Sequence, residues 1–311
     1  MRSRLGRIRC GALTAAIAAI AVSGCSAATA APAAQPATAA PAAPAATAAP
    51  GRSPSSGAAA YWDKSRLLGA QPWRDADERE IPVPGQTPNA RTAPAALRVG
   101  ALFEQDASGG HFCTASVVDS PAGDLLITAA HCLNSGNGGG YKTNIVFIPG
   151  YRDGTAPYGI WAPERLLVAP QWAASADPDL DVGFVILQPH DGENIEQLLG
   201  ANQLGFDAGY QDLVRVTGYP NSADAPITCV NWTSEQSATQ LRFNCGGYTV
   251  GTSGSPWVTS FDPKSRTGTV VGVIGGYQEG GDTPSVSYSV YFGSAVKQLY
   301  QEAVAEGTGQ G

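Results

Sequence analysis

Three short segments of the chain contain residue types that together could perform nucleophilic catalysis. Residues 251–256 read Gly-Thr-Ser-Gly-Ser-Pro, and the glycines allow a tight turn that holds Ser253 with its hydroxyl exposed. Residues 128–132 read Thr-Ala-Ala-His-Cys, and residues 179–184 read Asp-Leu-Asp-Val-Gly-Phe. A serine hydroxyl is a weak nucleophile at neutral pH, so it needs a base to remove its proton and a carboxylate to orient that base. The chain supplies these groups in the order His, Asp, Ser.

In this interpretation His131 is the general base and then the general acid, Asp181 orients it, and Ser253 is the nucleophile. Asp181 directly precedes an apolar run, which suits a buried carboxylate. The rivals Asp177 and Asp179 are less suited to this role, and Asp179 is expected in an exposed loop. The other two histidines after the leader lack the Ala-Ala-His-Cys context and are expected to be structural; they are His111 and His190.

The elements that must position these groups are mostly β-strands. Eight segments are short, rich in β-branched and aromatic residues, and bounded by Gly, Pro, Asn or Asp. They are residues 99–103, 114–118, 125–128, 145–148, 182–187, 213–217, 269–274 and 286–291. Many short strands without intervening helices predict antiparallel barrels or a sandwich. One helix is predicted over 294–305, with Ser294 as its N-cap.

The first 60 residues are typical of export and spacer segments. Residues 1–25 contain four arginines and then an apolar run too short to span a membrane, so we interpret them as a signal peptide. They end in Val-Ser-Gly-Cys, which resembles a bacterial lipobox and would place an acyl anchor on Cys25. Cleavage after Ala27 or Ala30, with full release, is the alternative. Residues 26–60 are almost entirely Ala, Pro, Thr, Ser and Gly, which predicts a disordered linker.

The remaining chain divides into an arm, a folded domain and a tail. Residues 61–68 could form one short helix, and several prolines follow it. We therefore interpret residues 61–96 as a pro-segment or an arm on the domain surface, with an unstructured linker as the alternative. The folded domain is predicted to span 97–306, and 307–311 to be a flexible tail.

The cysteines and the net charge limit the classes of protein that are consistent with the sequence. Beyond the leader four cysteines remain, which allow three pairings. We favour the disulfides Cys113–Cys132 and Cys229–Cys245, because the chain is exported and each bridge closes a short local loop. No Cys-x-x-Cys or paired-histidine spacing indicates zinc. The chain after the leader carries 15 basic and 26 acidic residues, a net charge of −11, which argues against nucleic-acid binding.

These motifs, in this order, resemble those of chymotrypsin-like serine peptidases of the secreted actinobacterial type. The resemblance covers residues from about 97 to 305, and includes residues 111–118, the histidine motif, Asp181, the nucleophile segment and the C-terminal helix. It implies an all-β fold of two antiparallel six-stranded barrels with the site between them. It also implies that the backbone amides of Gly251 and Ser253 form the oxyanion hole.

The chain departs from the family pattern at three positions. Thr252 stands where animal members carry an Asp that pairs with a freed N-terminal amine, so activation by that ion pair is not expected. Gly275 stands where many members have a Ser beside the catalytic Asp, which predicts the loss of one supporting hydrogen bond. Cys245 lies eight positions before Ser253, so the disulfide that usually precedes the nucleophile is shifted.

Substrate preference is predicted from the residues that would line the pocket for the side chain before the scissile bond. The resemblance assigns residues 247–253, Gly275, Gly276, Tyr277 and Ser289 to this pocket. Its floor position is Gly247, and Ile274 stands where Glu-selective relatives carry His. We therefore expect an uncharged pocket for apolar or small side chains, unless Glu279 or Asp282 enters it from their loop.

The expected function is secreted serine endopeptidase activity on polypeptides, without metal or organic cofactor. The enzyme is expected to be a monomer that is either released or attached to the membrane through a lipid anchor on Cys25. An α/β-hydrolase esterase is disfavoured because its triad order is Ser, Asp, His and its fold alternates strands with helices. The remaining alternative is a catalytically silent peptidase-fold binding protein at the cell envelope.

Overall fold

The structure is a computed structural model that describes residues 51–52, 57–72, 87–94, 96–106 and 109–309. The predicted signal peptide, Cys25 and most of the predicted linker 26–60 lie outside the described residues. In the part of the chain that is described, no helix is long and apolar enough to cross a membrane.

Among the described residues, sixteen β-strands form two sheets of eight. The first sheet contains β1 (Gly51–Arg52), β2 (Gln71–Pro72), β4 (Val99–Asp106), β5 (Gly109–Val117), β6 (Leu125–Thr128), β7 (Thr143–Pro149), β8 (Pro163–Val168) and β9 (Gly183–Leu187). The second sheet contains β3 (Arg91–Thr92), β10 (Gln203–Leu204), β11 (Leu213–Gly218), β12 (Ile227–Ser237), β13 (Gln240–Asn244), β14 (Pro256–Asp262), β15 (Thr267–Val273) and β16 (Val286–Val290). The helices are α1 (Ala58–Tyr61), α2 (Lys64–Gly69), α3 (Pro170–Ser175), α4 (Ile195–Leu199) and α5 (Ser294–Gly307).

Each sheet is built on six longer strands that are antiparallel to their neighbours. In the first sheet their order is β8-β9-β6-β5-β4-β7, and a bridge between Phe147 and Trp161 joins β7 to the chain just before β8. In the second sheet their order is β15-β14-β11-β12-β13-β16. The two remaining strands of each sheet are two residues long and lie at the margins. This architecture confirms the predicted all-β fold of two barrels with a C-terminal helix.

Each barrel has its own apolar interior. Leu102, Phe147 and Trp161 are fully or almost fully buried in the first, and Phe243 and Trp257 are fully buried in the second. Large aromatic and branched side chains of this kind favour β-structure because they pack well across a pleated surface. Both barrels therefore have packed apolar interiors.

A third apolar cluster joins the barrels to the C-terminal helix. Val296 and Leu299 of α5 pack with Phe184 from the first barrel and Val258 from the second. The helix starts at Ser294 as predicted, but its N-cap is Gly293 and no side chain caps it. The N-cap therefore lies one residue earlier than predicted, because Ser294 itself already has helical geometry.

The N-terminal arm packs on the first barrel. The predicted single helix over 61–68 is two helices, since the chain breaks at Trp62 and Asp63 caps α2 through the amide of Arg66. The Trp62 side chain is 2% exposed and donates its indole N–H to the carbonyl of Asn144 at 2.7 Å. Ala58 of α1, which falls inside the predicted linker 26–60, is buried in the same apolar cluster as Trp62 and Phe103.

Four of the longer strands were not predicted from the sequence. They are β8, β12, β13 and β14. The end of β12 reads Asn-Trp-Thr-Ser-Glu-Gln-Ser and is mostly exposed, so it has no apolar run to mark it. Hydrogen bonding to both β11 and β13 makes it a strand, and such tertiary pairing overrides weak local preference.

Candidate active site

His131 lies at the end of strand β6, in a 3₁₀ turn over Ala130–Cys132. Two contacts hold this turn against strand β5. The Thr128 hydroxyl donates to the carbonyl of Thr114 at 2.7 Å, and a disulfide joins Cys132 to Cys113. The His131 side chain is 2% exposed. The cysteine sulfurs lie beside the imidazole but are bonded to each other.

Asp181 faces His131 from the start of strand β9, whose pairing with β6 sets Gly183 opposite Thr128. One carboxylate oxygen, Oδ1, accepts the His131 backbone N–H at 2.9 Å. The other, Oδ2, lies 2.8 Å from the imidazole Nδ1. Asp181 is fully buried, so its charge depends on these donors for stabilisation.

The two rival carboxylates form other hydrogen bonds. Asp177 accepts the amide of Asp179 at 3.0 Å and so caps the 3₁₀ turn before Asp181. Asp179 accepts the side-chain amide of Gln240 at 2.8 Å. The structure therefore brings Asp181, and neither rival, to the His131 ring.

The position of Asp181 determines which tautomer of a neutral His131 ring fits this geometry. In a neutral imidazole one nitrogen carries a proton and the other accepts one. Because an ionised carboxylate can only accept, the proton lies on Nδ1 and points at Asp181. The opposite nitrogen, Nε2, is buried and has no hydrogen-bond partner among the described residues. It is therefore the nitrogen that can act as a base.

Ser253 lies in the turn that precedes strand β14, and this turn is held to both barrels. Its carbonyl accepts the amide of Thr114 from the first barrel at 2.7 Å, and the next amide, Gly254, donates to Ile274 of the second at 2.7 Å. The turn lies against the segment that leads to His131, since a Cβ on Gly254 would be 3.1 Å from the amide nitrogen of Ala129. The Ser253 side chain is largely buried rather than exposed as predicted, and it lines a cavity. No hydrogen bond joins it to His131 in the described structure.

Two glycines are required by the shape of this turn. Gly251 and Gly254 have φ of 92° and 81°, in the region that side chains with a Cβ rarely adopt. A Cβ on Gly254 would also lie 2.0 Å from the carbonyl oxygen of Thr114. A Cβ on Gly251 would lie 2.4 Å from the Phe112 ring. Both positions therefore exclude a side chain on two separate grounds.

The amides of Gly251 and Ser253 are the predicted oxyanion hole. In the described part of the chain neither amide donates a hydrogen bond, whereas the amides of Thr252, Gly254 and Ser255 are all bonded. Unused backbone donors next to a serine are what an acyl-transfer site needs to bind a developing oxyanion.

Backbone takes over the role of the serine that the family pattern would place at position 275. A Cβ at Gly275 would lie 2.7 Å from the carbonyl oxygen of Asp181, so this position is crowded. The amide of Gly276 instead donates to Asp181 Oδ2 at 2.8 Å. The expected loss of one hydrogen bond is thus offset by a main-chain donor, which has no signal in residue type.

Sequence reasoning also missed two side chains that position the site. Thr114 donates its hydroxyl to the Gly251 carbonyl at 3.1 Å and accepts the Tyr219 amide at 3.0 Å, so it joins the barrels beside Ser253. Gln240 bonds Asp179 and accepts the Tyr277 amide at 3.0 Å. Thr114 lies in the motif 111–118 and Gln240 belongs to no recognised motif, but in both cases only the tertiary fold brings these partners together.

The second predicted disulfide and the two other histidines are not part of the candidate triad. Cys229 and Cys245 form the second disulfide in the second barrel, so both predicted pairings are present. His111 lies in strand β5, and His190 packs its ring 5.2 Å from that of Trp161. Neither histidine touches Asp181.

A cavity of about 430 Å³, counting space open to solvent, adjoins Ser253. Its lining includes Tyr248, Val250, Ile274 and residues 279–284. Only part of the predicted pocket segment 247–253 lines this cavity, because Gly247 does not line it. The others do not line it either; they are Gly275, Gly276, Tyr277 and Ser289. Ser289 is instead fully buried and accepts the amide of Val273 at 2.9 Å.

Comparison with solved structures finds proteins of similar fold. The protease Anisep from Arthrobacter nicotinovorans superposes with a TM-score of 0.63 at 25% identity, over 70% of this chain and 99% of that one. The thermostable serine protease AL20, from an extremophilic microorganism, gives 0.62 at 29% identity, over 68% and 99%. Human heparin binding protein, at 13% identity and a TM-score of 0.51, shares the fold alone.

The fold and these likenesses show that the chain has the chymotrypsin-like, trypsin-type fold of serine proteases. No protein-family profile and no curated protein sequence matches it.

Proposed function

We propose that this chain is an exported serine endopeptidase that cleaves polypeptides through an acyl-enzyme, with Ser253, His131 and Asp181 as its triad. One observation carries the proposal. The buried His131–Asp181 pair leaves Nε2 without a partner, and the segment that leads to His131 lies against the turn that holds Ser253 and two unused amides. The likeness to serine proteases supports the same conclusion.

In the first half of the reaction, Ser253 Oγ attacks the scissile carbonyl carbon while Nε2 of His131 takes the hydroxyl proton. The carbonyl oxygen becomes an oxyanion, which the amides of Gly251 and Ser253 bind. The resulting imidazolium is stabilised by Asp181. The C–N bond then breaks, and Nε2 gives the proton to the leaving amine.

In the second half, water attacks the acyl-enzyme ester and His131 removes its proton in the same way. The ester C–O bond breaks, the proton returns to Ser253, and the carboxylic acid leaves. No oxidant, reductant or metal is needed to balance either half.

Two features of the chain support export. The leader predicts secretion, and two disulfides suit an oxidising compartment. We propose that the protein acts on polypeptides outside the cell as a monomer, either released or attached through an acyl group on Cys25.

The test is peptide hydrolysis by the chain recovered after secretion from a bacterial host. New N-termini generated from an unfolded protein substrate, read by mass spectrometry, are the expected result. Ser253→Ala should reduce kcat by about 10⁴-fold or more. The matched control is Ser175→Ala, because Ser175 is exposed on α3 and its hydroxyl donates to the Gln171 carbonyl of the same helix.

A well-folded wild-type chain that hydrolyses no peptide would contradict the proposal. That outcome would favour the alternative, a silent binding protein with a peptidase fold. Activity that persists in Ser253→Ala would instead exclude Ser253 as the nucleophile.

A further inference from the structure

A second cavity lies where the two barrels meet, separate from the cavity beside Ser253. Its volume is about 580 Å³, counting space open to solvent, and the two cavities share no lining residue. Its walls include residues 96–99 at the start of the first barrel and parts of strands β11, β12 and β14 of the second. A ligand in this cavity would therefore contact both barrels without occupying the candidate active site.

Three arginines line this second cavity: Arg98 before β4, Arg215 in β11 and Arg266 in the turn after β14. Among the described residues that line it, none is an aspartate or a glutamate. This concentration of positive charge contrasts with the chain after the leader, which has 15 basic residues against 26 acidic ones. Because like charges repel, an anion placed among them lowers the electrostatic free energy of the site.

Two of these guanidinium groups have a buried donor that is not used. The Nε atoms of Arg98 and Arg215 are buried and have no hydrogen-bond partner among the described residues. Arg98 donates from Nη1 to the backbone carbonyl of Arg266 at 3.2 Å, and Arg215 lies over the Phe261 ring at 4.5 Å from its centroid. Neither contact supplies a negative charge. A buried donor without a partner is costly, and a ligand that accepts its hydrogen bond removes that cost.

The surroundings of Arg98 disfavour its positive charge. Burial lowers the pKa of this guanidinium, and repulsion from Arg266 lowers it further. The group is also packed against backbone, since a Cβ on Gly200 would lie 2.7 Å from its Nη2. A negatively charged ligand would offset both the burial and the repulsion, because an opposite charge nearby favours the charged form.

The rest of the lining indicates which kind of anion fits. Most of it is apolar, including Leu97, Val258 and Phe261. Apolar walls with a few converging polar groups are typical of small-molecule sites. The planar arginine fork matches a carboxylate, and the apolar walls favour a carboxylate that is attached to hydrocarbon. Inorganic phosphate has no apolar part that could bind to these walls.

We propose that the second cavity binds an organic carboxylate with an apolar chain, held by Arg98 and Arg215, with Arg266 adding positive charge. The site shares no residue with the triad, so this inference does not depend on the proposed function. Such a carboxylate has two sources, a free fatty acid and the C-terminus of an apolar peptide, and the probes below distinguish them.

The test is calorimetry on the secreted chain with pairs of probes that differ only in charge. Hexanoate is compared with hexanamide, and N-acetyl-leucine with its amide. In at least one pair the carboxylate should bind about tenfold or more tightly than the amide, because charge-assisted hydrogen bonds are lost in the amide. The tighter carboxylate identifies the source, and its affinity should fall as the NaCl concentration rises.

Three results of this comparison would overturn the inference. They are no binding of either carboxylate, amides that bind as tightly as the carboxylates, and inorganic phosphate that binds as tightly as the better carboxylate. The last result would mean that the apolar walls contribute nothing to recognition.

Variants locate the binding in the second cavity. Arg98→Gln/Arg215→Gln should weaken carboxylate binding by about tenfold or more, and each single variant should weaken it in the same direction. The matched control, Arg66→Gln/Lys297→Gln, removes the same charge from two exposed residues that do not line the cavity, and it should bind as the wild type does. Ser253→Ala should also bind as the wild type does.

Undiminished binding by the single variants would contradict the assignment, and these remain a test if the double variant does not fold. Loss of binding in Ser253→Ala would place the carboxylate at the candidate active site and would likewise overturn the inference.

Discussion

At the scale of single residues, the Asp181 carboxylate accepts hydrogen bonds from the ring and amide of His131 and from the amide of Gly276. Held by these donors, the Asp181 carboxylate sets both the orientation of the His131 ring and its tautomer. An asparagine in place of Asp181 would present N–H groups to Nδ1 and stabilise the tautomer in which Nε2 carries the proton.

We therefore predict that Asp181→Asn lowers kcat by about 10⁴-fold and changes KM little. Steady-state kinetics on one peptide measures both parameters. Asp177→Asn is the control, because Asp177 caps the preceding turn and does not touch the ring. Equal losses in the two variants would show that Asp181 has no special role.

The nucleophile turn gives a second prediction at this scale. Gly254→Ala should abolish activity and destabilise the fold, because its Cβ would overlap the Thr114 carbonyl oxygen at 2.0 Å. Gly138→Ala is the matched control, since Gly138 also has positive φ, 77°, but nothing lies within 4 Å of its Cβ. That control should cost only about 1–2 kcal/mol in the free energy of unfolding.

Thermal unfolding and peptide hydrolysis distinguish the two glycine variants. If Gly254→Ala loses no more stability than Gly138→Ala and remains active, the packing of this turn is not as described.

At the scale of elements, each barrel carries one disulfide of similar loop length. The bridges span 19 and 16 residues, so each should contribute about 3 kcal/mol to the free energy of unfolding. Only the Cys113–Cys132 bridge adjoins His131. Its position predicts an effect on catalysis as well as on stability.

We predict that replacing either cysteine pair by alanine lowers stability by a similar amount, whereas only Cys113→Ala/Cys132→Ala lowers kcat. Denaturant unfolding and kinetics at a temperature where both variants stay folded provide the comparison. An equal fall in kcat for the Cys229 and Cys245 pair would mean that the bridge beside His131 has no local effect.

At the scale of the whole molecule, buried carboxylates make stability depend on pH. Burial raises the pKa of Asp124, and repulsion from Glu164 adds to this. Burial likewise raises the pKa of Glu196, helped by its hydrogen bond with Asp119. A raised folded-state pKa favours the protonated form, so the stability it contributes is present at acidic pH and lost as pH rises through that pKa.

Asp124→Asn should therefore be more stable than the wild type at pH 7 and show no such gain well below the ordinary pKa of Asp. Asp262 gives a control of opposite sign, because hydrogen bonds from Lys264 and Ser265 lower its pKa. Asp262→Asn should lose stability at pH 7 and lose little at low pH. Urea unfolding at several pH values tests both, and a loss for Asp124→Asn at pH 7 would contradict the account.

Some residues of the fold and the site could be predicted from the sequence, and others could not. His131 and Ser253 stand in local motifs, and Asp181 precedes an apolar strand, so residue type and neighbours sufficed to select them. The amide of Gly276 and the side chain of Gln240 act through contacts between distant segments, which no local pattern records. The left-handed backbone geometry of Gln278 and Glu279 is likewise not favoured by residue type.

The central claim is that Ser253 is a nucleophile activated by His131. Labelling with a fluorophosphonate, followed by mapping of the modified peptide, tests it most directly. The account predicts one adduct per chain on Ser253, which disappears in Ser253→Ala and is greatly slowed in His131→Ala. A folded, secreted wild-type chain that takes up no label, or one labelled at a different residue, would contradict it.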